Sequence, residues 1–479
     1  MFKDTKYPQL FEWFYRISQI PRGSGNEKAI ADFLEEFAKK RNLFCYRDEV
    51  NNILIRKEAT SPKLKNAPAV VLQGHTDMVC EADAGVEHDF LKDPIKFVRN
   101  GDILTADGTT LGADNGCAVA AMLTILDSDS YEHPELECLF TVGEEVGMDG
   151  MNAFDTSLLK ARQMLNLDSA GEGIATVSCA GGVRCDFSRN FEQTALREND
   201  MHFELKISGL YGGHSGEDIN LGRANAVEIC ARFLRAFENL CEVRLISITG
   251  GDKDNAIPRE CRAVFAVPSN ADLSDTFKSV YEFTKHELVT DDKNFNAELI
   301  PTEVSESALG YCDTKTVTDF LSLFRSGPVM MSRAVAEMVE SSYNLAVVKL
   351  NEDSFSAVVS FRSSEEASLD DLTLKMYSIG RITGFNVNCH GRYPGWKYAE
   401  VSPMRDKFLK VWKELFGAEG TAIGIHAGLE CGLLLSRIPD MDIISIGPDI
   451  KDLHSPSESL GIASFDRFFE TVIKILEIC

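Results

Sequence analysis

The sequence predicts an α/β protein in which the first domain is interrupted by an inserted α+β domain. Three short apolar runs, separated by segments of helical periodicity, indicate buried strands of one parallel sheet; they lie at 70–72, 138–142 and 164–167. Between 203 and 301 the predicted order becomes β-α-β-β-α-β, which is the ferredoxin-like split unit. The α/β pattern returns at Tyr393, so we expect the first domain to be discontinuous.

The length of the chain also favours two domains, because 479 residues are too many for one compact core. The changes of pattern predict a first domain made of residues 1–183 and 393–479 and an inserted domain made of residues 184–392. Inside the inserted domain, a shorter version of the split unit follows the first, between 314 and 389. We therefore expect a duplicated domain whose second copy is truncated.

Helical periodicity predicts the helices that flank the strands of the first domain. The first helix, at 26–41, carries apolar residues on one face, and Ser24 or Asn26 can cap its beginning. A second helix begins beside Asp114. Two further helices are expected near the end of the chain, at 404–416 and 464–477.

The composition argues against several classes of protein. The formal net charge is −25 and no basic cluster relieves it, which argues against a nucleic-acid partner. No run of about 18 apolar residues appears, so we expect neither a membrane-spanning segment nor a membrane partner. The N-terminus lacks the basic start, apolar stretch and small-residue cleavage site of a signal peptide.

The thirteen cysteines are scattered singly, and none forms a CxxC pair. Several lie inside apolar segments, among them Cys117, Cys230 and Cys261. Isolated thiols of this kind are typical of a reducing compartment, so we expect a cytoplasmic protein without a disulfide framework. Their spacing does not favour zinc ligation.

Side chains that can bind metals follow the predicted strands of the first domain or begin the helix beside them. They are, in chain order, His75, Asp114, Glu145, Asp168 and, after a late strand, His454. In open α/β sheets, ligands gather just outside the carboxyl ends of the strands. We therefore expect these five side chains to meet at one edge of the sheet.

Two imidazoles and three carboxylates form the ligand set expected for two zinc-like ions about 3.5–4 Å apart, with one carboxylate bridging them. Such a pair can activate a water molecule and stabilise negative charge on a carbonyl oxygen. Glu144, beside the proposed ligand Glu145, is then the candidate proton carrier. Asp77 can bind the outer nitrogen of the His75 ring and orient it.

Each of these residues has an ordinary structural interpretation when it is taken alone. Asp114 can cap the helix that follows it, which does not exclude bridging. A pair such as Glu144 and Glu145 is usually solvated, and Pro456 places His454 in a turn. The repetition of metal-binding residue types at one predicted sheet edge favours the metal-site hypothesis.

Seven segments resemble motifs of the M20 metallopeptidases: GHTDMV, LGADNG, GEEVGMDG, NLDS, GLYGGHSGEDI, DNAIPRE and LHSPSE. The resemblance is strongest to the aminoacyl-histidine dipeptidases of that family. It extends from about residue 10 to the end and includes YPGW and IHAGLECGL. The resemblance implies a catalytic di-zinc domain interrupted by a lid and dimerisation domain.

The resemblance also implies how the metal ligands divide between two zinc ions. His75 and Asp168 would hold one ion, Glu145 and His454 the other, and Asp114 would bridge them. Glu144 would act as general base and general acid, and Asp77 would orient the ring of His75.

In the inserted domain, the resemblance implies that His214 of the GGHSG segment helps to polarise the scissile carbonyl. In many relatives the equivalent histidine is supplied by the other subunit of a dimer. Asn255 and Arg362 match positions that contact substrate, and the fork of Arg362 suits a terminal carboxylate. His426 is a further candidate for the substrate pocket, although an interior glycine-rich loop explains it nearly as well.

The predicted function is that of a di-zinc dipeptidase that hydrolyses Xaa-His and related dipeptides, including β-alanyl-histidine. We expect a small dipeptide substrate, a homodimer and two divalent metal ions, Zn²⁺ first, with Mn²⁺ or Co²⁺ as alternatives. The alternatives on the same scaffold are an N-acyl-amino-acid deacylase and a tripeptidase. An alternative from a different class is a metal-binding scaffold without catalysis.

Overall fold

The computed structural model describes residues 2–288, 292–303 and 305–479. The chain forms two compact units. Unit 1 comprises Met1–Ser178, Trp396–Gly424 and Leu429–Cys479, and unit 2 comprises Cys179–Gly395 with Ile425–Gly428. The predicted fold class, α/β with an inserted α+β unit, is confirmed, whereas the functions assigned to the two predicted domains stay predictions.

The first part of unit 1 contains four helices and eight strands among the described residues. The helices are α1 Pro8–Ile17, α2 Lys28–Lys40, α3 Ala113–Leu126 and α4 Asp149–Ala153. The strands are β1 Phe44–Arg47, β2 Ile53–Lys57, β3 Val70–His75, β4 Phe97–Asn100, β5 Ile103–Ala106, β6 Leu136–Thr141, β7 Gln163–Asn166 and β8 Ile174–Cys179.

Unit 2 is built from thirteen strands and four helices among the described residues. The strands are β9 Gly181–Asn190, β10 Gln193–Ala195, β11 Met201–Ser208, β12 Gly213–His214, β13 Arg244–Gly250, β14 Ala256–Ile257, β15 Cys261–Val267, β16 Asn296–Pro301, β17 Ser307–Leu309, β18 Gly327–Met331, β19 Val339–Asn351, β20 Ser354–Ser363 and β21 Asn386–Tyr393. The helices are α5 Ala226–Glu238, α6 Ser274–Glu287, α7 Tyr311–Ser322 and α8 Glu366–Thr383.

The last part of the chain returns to unit 1. Its helices are α9 Pro403–Phe416, α10 Glu430–Arg437 and α11 Ile462–Glu477. Its strands are β22 Thr421–Ile425, β23 Asp442–Ser445, β24 Ile450–Lys451 and β25 Ser459–Gly461. None of the described helices is both long enough and apolar enough to span a lipid bilayer.

The central strands of unit 1 are parallel, which brings their carboxyl ends to one edge. The eight-stranded sheet has the order β1-β2-β6-β3-β7-β23-β8-β22, and β3 pairs in parallel with both β6 and β7. Leu72 therefore lies beside Cys138 on one side and Leu165 on the other. The three apolar runs form one buried layer, as expected for parallel strands covered on both faces.

The helix that carries Asp114 is held inside the core of unit 1. Helix α3 is buried at every residue except Asp114, and it packs against α1 and β3. A helix that is apolar on all sides is stable only when it is enclosed. The start of α3 is therefore anchored next to the carboxyl end of β3.

The beginning of helix α2 differs from the prediction. The helix starts at Lys28, and no side chain caps it. Ser24, which we expected as a cap, instead donates its hydroxyl hydrogen bond to Asp77, with the two oxygens 2.8 Å apart. The polar residues before α2 therefore serve the edge of the sheet rather than the helix.

Unit 2 contains two complete ferredoxin-like units joined side by side. Its main sheet has the order β16-β11-β15-β13-β19-β20-β9-β21, with β18 added to β19. The first four strands in this order belong to one copy and the next four to the other, and β13 pairs antiparallel with β19. The prediction of a truncated second copy is wrong, because β9 supplies its first strand from a position before the first copy in sequence.

Strand β9 was not predicted because it begins in a glycine-rich segment, which is typical of a loop. A side chain at Gly181 would lie 2.4–2.6 Å from backbone atoms of Tyr393, Pro394 and Gly395. A side chain at Gly182 would meet the ring of Tyr393 at 2.7–2.8 Å. Glycine inside a strand often marks such a close approach, so this stretch is a strand rather than a linker.

Two cysteines form a disulfide, which the sequence did not predict. Cys185 of β9 and Cys389 of β21 lie opposite each other on neighbouring strands and are joined. They are 204 residues apart in the chain. The expectation of free thiols is wrong at this pair, because only the pairing of the two strands brings these cysteines together.

Candidate metal centre

The five predicted metal ligands lie together at the carboxyl edge of the unit 1 sheet. We call His75, Asp114, Glu145, Asp168 and His454 the ligand cluster. Two sets of three have ligand atoms within 4.8 Å of one another: His75 with Asp114 and Asp168, and Asp114 with Glu145 and His454. Asp114 belongs to both sets, which is the arrangement expected of a bridging carboxylate.

The two oxygens of Asp114 face different histidines. Oδ1 lies 3.0 Å from His75 Nε2, and Oδ2 lies 3.3 Å from His454 Nε2. Each histidine has a second carboxylate close by: Asp168 Oδ1 is 3.4 Å from His75 Nε2, and Glu145 Oε2 is 3.1 Å from His454 Nε2. The cluster is therefore two histidine–carboxylate pairs that share Asp114.

The local backbone explains why these residues meet. His75 is the last residue of β3, and its neighbour across the ladder is Thr141 at the end of β6. Asp168 follows β7 by two residues. His454 adopts a positive φ of 60° in the loop after β24, a conformation that non-glycine residues adopt mainly in tight turns. Parallel pairing and one tight loop thus bring four separate segments to one edge.

Asp77 connects His75 to the loop that carries Glu144 and Glu145. Its Oδ1 lies 3.3 Å from His75 Nδ1 and accepts a hydrogen bond from the backbone N–H of Glu144 at 3.2 Å. Its Oδ2 accepts from the backbone N–H of Glu145 at 3.3 Å. Burial favours the neutral acid, but the contacts to His75 and Ser24 and the Glu144 N–H lower the pKa of Asp77 to about 2. Asp77 therefore stays ionised and can orient the imidazole.

The charges of the ligand cluster act strongly on both histidines. Burial lowers the pKa of His75, but the charge of Asp168 and the contacts to the neighbouring carboxylates outweigh it and raise the pKa well above 6.5. The contacts to Asp114 and Glu145 raise the pKa of His454 to about 10. Both shifts reflect an excess of negative charge around two imidazoles.

The carboxylates respond in opposite directions. Burial raises the pKa of Asp168 to about 6, and the nearby His75 only partly opposes this. For Asp114, the contacts to His454 and His75 outweigh burial and lower the pKa. Burial also raises the pKa of Glu144 well above 4.5, with the negative charges of Asp168 and Glu430 adding to the effect. A carboxyl group with a raised pKa is suited to receive and return a proton near neutral pH.

The donor set fits a pair of divalent cations. Imidazole nitrogen and carboxylate oxygen are ordinary ligands of zinc, and more carboxylates than imidazoles surround the centre. Oε1 of Glu145 is buried and has no hydrogen-bond partner among the described residues. A buried carboxylate oxygen without a donor is costly unless a cation satisfies it. His75, Asp114 and Asp168 could hold one ion, and Asp114, Glu145 and His454 the other.

A third set with metal-binding geometry contains His75, Glu144 and Glu145. Glu144 is therefore close enough to the cluster to act on a water molecule there. Glu144 belongs to neither of the two sets that share Asp114, so neither set needs it to hold an ion.

The residues predicted to contact substrate lie in unit 2. Asn255 and Arg362 line one cavity of about 20 Å³, which we call the arginine cavity and which is also lined by Arg184, Asp254 and Tyr393. Nη1 of Arg362 donates to the hydroxyl of Tyr393 at 2.8 Å, whereas its buried Nε has no partner among the described residues. Arg362 thus keeps donor capacity for an anionic ligand.

Two histidines predicted to act on the substrate also lie in unit 2: His214 ends the short strand β12, and His426 follows β22. The backbone N–H of His214 donates to Asp218 at 2.9 Å, and Nδ1 of His214 accepts from the backbone N–H of Glu217 at 3.1 Å. Nε2 of His426 is 2.7 Å from the hydroxyl of Ser342. Burial, with the charge of Arg362 adding to it, lowers the pKa of His426 to about 3, so this imidazole is neutral at neutral pH.

Sequence reasoning missed the structural roles of three buried polar residues around the cluster. Arg22 donates to the carbonyl oxygens of Thr76 and Asp77. Glu458 accepts from backbone N–H groups before Asp114. Glu430 accepts from Gln73 and Thr141 beneath the edge. The only signal for Glu458 was its place in the LHSPSE segment, four residues after His454.

Comparison with known proteins agrees with the motif resemblance. The family described as peptidase family M20/M25/M40 matches residues 71–478. The cytosol non-specific dipeptidase of Escherichia coli is 35% identical over 472 residues, covering 98% of this chain and 97% of that protein. The crystal structure of aminoacylhistidine dipeptidase from Vibrio alginolyticus superposes with a TM-score of 0.92 at 32% identity, covering 100% of this chain and 98% of that one.

A more distant structure shares the fold. An aminopeptidase from Bacillus cereus is 14% identical with a TM-score of 0.57, covering 99% of this chain and 98% of that one. The match to the family over most of the chain and the nearly full-length relatives confirm the resemblance predicted from the seven motifs. This chain is a member of peptidase family M20/M25/M40.

Proposed function

We propose that this chain is a dipeptidase that uses two divalent cations to hydrolyse free dipeptides, Xaa-His dipeptides among them. Both nearly full-length relatives are named as dipeptidases, one as non-specific and the other as an aminoacylhistidine dipeptidase. The shared part of their names supports the reaction. The two names differ in substrate selectivity, so the dipeptide side chains that this chain prefers have to be determined by experiment.

One observation carries the proposal: Asp114 presents one oxygen to each of two histidine–carboxylate pairs. His75 with Asp168 and His454 with Glu145 are suited to hold two ions on either side of this bridge. When bound, two such cations would polarise the scissile carbonyl and make a water molecule nucleophilic near neutral pH. The protein residues then have to move protons and orient the substrate.

Glu144 is the residue proposed to move the proton. Its carboxylate lies within 4.8 Å of ligand atoms of His75 and Glu145, close enough to take a proton from the attacking water and to give it to the leaving amine. Asp77 holds the backbone N–H groups of Glu144 and Glu145 and orients the His75 ring. In this proposal, the Asp77 carboxylate fixes the positions of the base Glu144 and of the two ligands His75 and Glu145 relative to one another.

The residues of unit 2 are proposed to bind the substrate. Arg362 would pair with the carboxylate at the end of a dipeptide, since its Nε is buried without a partner among the described residues. Asn255 lines the same cavity. His214 would stabilise the charge that develops on the carbonyl oxygen, and the neutral His426 would contribute a polar contact.

Three further properties belong to the same proposal. We expect Zn²⁺ in both sites, with Mn²⁺ or Co²⁺ as the alternatives, because imidazole and carboxylate donors accept all three. We also propose a homodimer, on the motif resemblance, and a location in the cytoplasm, because the Escherichia coli relative is named a cytosol dipeptidase. Metal analysis of the purified protein and sedimentation analysis test the first two.

A substrate panel tests the reaction. Xaa-His dipeptides including β-alanyl-histidine, other dipeptides, tripeptides and N-acetyl amino acids are offered with and without added Zn²⁺, Mn²⁺ or Co²⁺. We expect release of the amino acids from dipeptides only, and loss of activity with a chelator. Hydrolysis of N-acetyl amino acids or of tripeptides that is faster than hydrolysis of dipeptides would contradict the proposal and favour a deacylase or a tripeptidase. Metal binding without turnover of any of these compounds would favour a non-catalytic protein.

A further inference from the structure

Glu458 is a buried carboxylate whose two oxygens are both occupied by backbone donors. Oε2 accepts from the N–H groups of Leu111 and Gly112 at 2.8 and 2.9 Å, and Oε1 accepts from those of Ala113 and Asp114 at 2.8 and 3.3 Å. The residue is only 2% exposed. One side chain thus satisfies four consecutive N–H groups at the start of α3, which would otherwise lack partners.

Arg22 hydrogen-bonds to backbone carbonyl groups of two segments next to the start of α3. Its Nη1 donates to the carbonyl oxygens of Thr76 and Asp77 at 2.9 and 3.1 Å, and its Nη2 donates to that of Gly112. Arg22 is also 2% exposed. One guanidinium therefore connects the segment that follows His75 to the segment that precedes Asp114.

The packing leaves little room for these two segments to move. A side chain at Gly112 would meet Arg22 Nη2 at 2.6 Å and Met78 at 2.7 Å. A side chain at Gly116 would meet Arg22 at 2.8 Å and Phe14 at 2.7 Å. The guanidinium fills a space that exists only because both positions are glycine.

The two residues carry opposite charges and act on each other. Burial lowers the pKa of Arg22, and the negative charge of Glu458 opposes this shift. Each ion is also hydrogen-bonded to backbone groups, which is the condition under which a buried charge is tolerated. Glu458 moreover follows His454 by only four residues, so the chain that supplies one ligand also anchors another.

We propose that Glu458 and Arg22 are positioning residues of the metal centre, which set the position of the Asp114 bridge relative to His75 and His454. This inference rests on the proposed two-cation site. Neither residue belongs to the sets of side chains that could hold a metal ion. They act by holding the backbone of three ligand segments, and a small displacement of Asp114 changes its distance to both histidines at once.

The test measures metal binding by the full-length protein with Glu458→Gln. The amide NH₂ cannot accept a hydrogen bond, so two of the four backbone N–H groups lose their acceptor. Apo-protein is titrated with Zn²⁺ against a chelating dye, and the visible absorption of the Co²⁺-loaded protein is recorded. We expect about a 10- to 100-fold loss of Zn²⁺ affinity, the usual cost of removing a partner that orients ligands, and a changed Co²⁺ spectrum.

Glu137→Gln is the matched control. Glu137 is fully buried in β6 of the eight-stranded sheet and accepts hydrogen bonds from the backbone N–H groups of Lys160 and Ala161 at 2.9 and 3.0 Å, but it belongs to none of the metal-binding sets. We expect it to lower the melting temperature without changing the Zn²⁺ affinity or the Co²⁺ spectrum. If Glu137→Gln weakens metal binding as much as Glu458→Gln, the effect reflects general stability and the inference is wrong.

Other results separate this inference from the proposed function. If the wild-type protein binds metal and hydrolyses dipeptides while Glu458→Gln does both equally well, only the positioning role falls. If the wild-type protein binds no divalent cation, the proposed function falls and this inference with it.

A second variant decides the question if circular dichroism shows that Glu458→Gln does not fold. Arg22→Lys keeps the charge, but a single ammonium cannot replace the fork that joins both segments. Its control is Arg244→Lys, because Arg244 is a buried arginine of unit 2 that donates to the carbonyl oxygens of Ala195 and Leu309 at 2.8 and 3.1 Å. Reduced Zn²⁺ affinity in Arg22→Lys alone supports the inference, and equal affinities overturn it.

Discussion

The ligand cluster of unit 1 and the arginine cavity of unit 2 are built in opposite ways. In the cluster, acidic side chains surround two imidazoles, and buried hydrogen bonds from Glu458 and Arg22 hold the backbone that leads into Asp114. In the cavity, Arg362 has one hydrogen bond to Tyr393 and a buried Nε without a partner among the described residues. The first region is negative and rigidly supported, and the second has unused positive donors.

This difference teaches what each region is suited to bind. A cation site requires ligands whose positions are set before binding, because distances that are wrong by a few tenths of an ångström weaken coordination. An anion site requires donors that are not already satisfied by the protein. In the proposed function, the first region would hold the metal ions and the second would supply a positive group for the terminal carboxylate.

The largest effect is expected in the ligand cluster, from Glu144→Gln. This variant removes the proposed proton carrier but no member of the two sets that share Asp114, so we expect the rate to fall by at least ~10²-fold while metal content stays at the wild-type level. Steady-state kinetics with a dipeptide and elemental analysis measure the two properties. Glu135→Gln, at a partly exposed position before β6, is the control. Full activity in Glu144→Gln would remove its assigned role.

The next effect tests the cavity, through Arg362→Met. Loss of a charge-assisted hydrogen bond costs about 1.5–3 kcal/mol, so we expect KM for a dipeptide to rise roughly 10- to 150-fold with metal affinity unchanged. The wild-type protein should favour a dipeptide over its C-terminal amide, and the variant should lose this preference. Arg262→Met, on an exposed position of β15, is the control. A preserved preference would show that another group binds the carboxylate.

A smaller effect is expected from Tyr393→Phe, which removes the hydrogen bond that the Tyr393 hydroxyl accepts from Arg362. A single hydrogen bond of this kind contributes about 1 kcal/mol, so KM should rise roughly 3- to 10-fold with kcat nearly unchanged. Tyr398→Phe is a matched control, since the hydroxyl of Tyr398 accepts from Arg405 at the same distance of 2.8 Å in unit 1. Equal KM values in Tyr393→Phe and wild-type protein would mean that Arg362 needs no such support.

The smallest effect concerns stability beneath the cluster and depends on pH. Burial raises the pKa of Glu430 to about 8 from its ordinary value of 4.5. Between these two values the unfolded chain releases this proton and the folded chain keeps it, so the group lowers stability as the pH rises. Glu430→Gln cannot ionise and does not lose this stability. The melting temperature of the variant minus that of the wild type should therefore grow by about a few °C between pH 5 and pH 8. A constant difference across this range would show that Glu430 is ionised in the folded protein.

Residues whose positions follow from local pattern could be predicted from the sequence. His75 and Asp168 come directly after apolar runs, and parallel pairing then brings strand ends to one edge whatever the details of the fold. Glu144 could be singled out because it stands beside a ligand. The predictions that failed concern partners chosen across the fold: Ser24 bonds to Asp77 instead of capping α2, and Cys185 is joined to Cys389.

By itself, the sequence determined the fold class, the family and the residue types gathered at the sheet edge, because hydrophobic periodicity and short motifs are local properties of the chain. The tertiary structure alone decided which backbone groups Glu458 and Arg22 hold, and that β9 completes the second ferredoxin-like unit. The physical reason is that a buried charge or an unpaired strand takes whichever partner the packed core brings within reach. For the N–H of Asp114, that partner is a carboxylate 344 residues away in the chain.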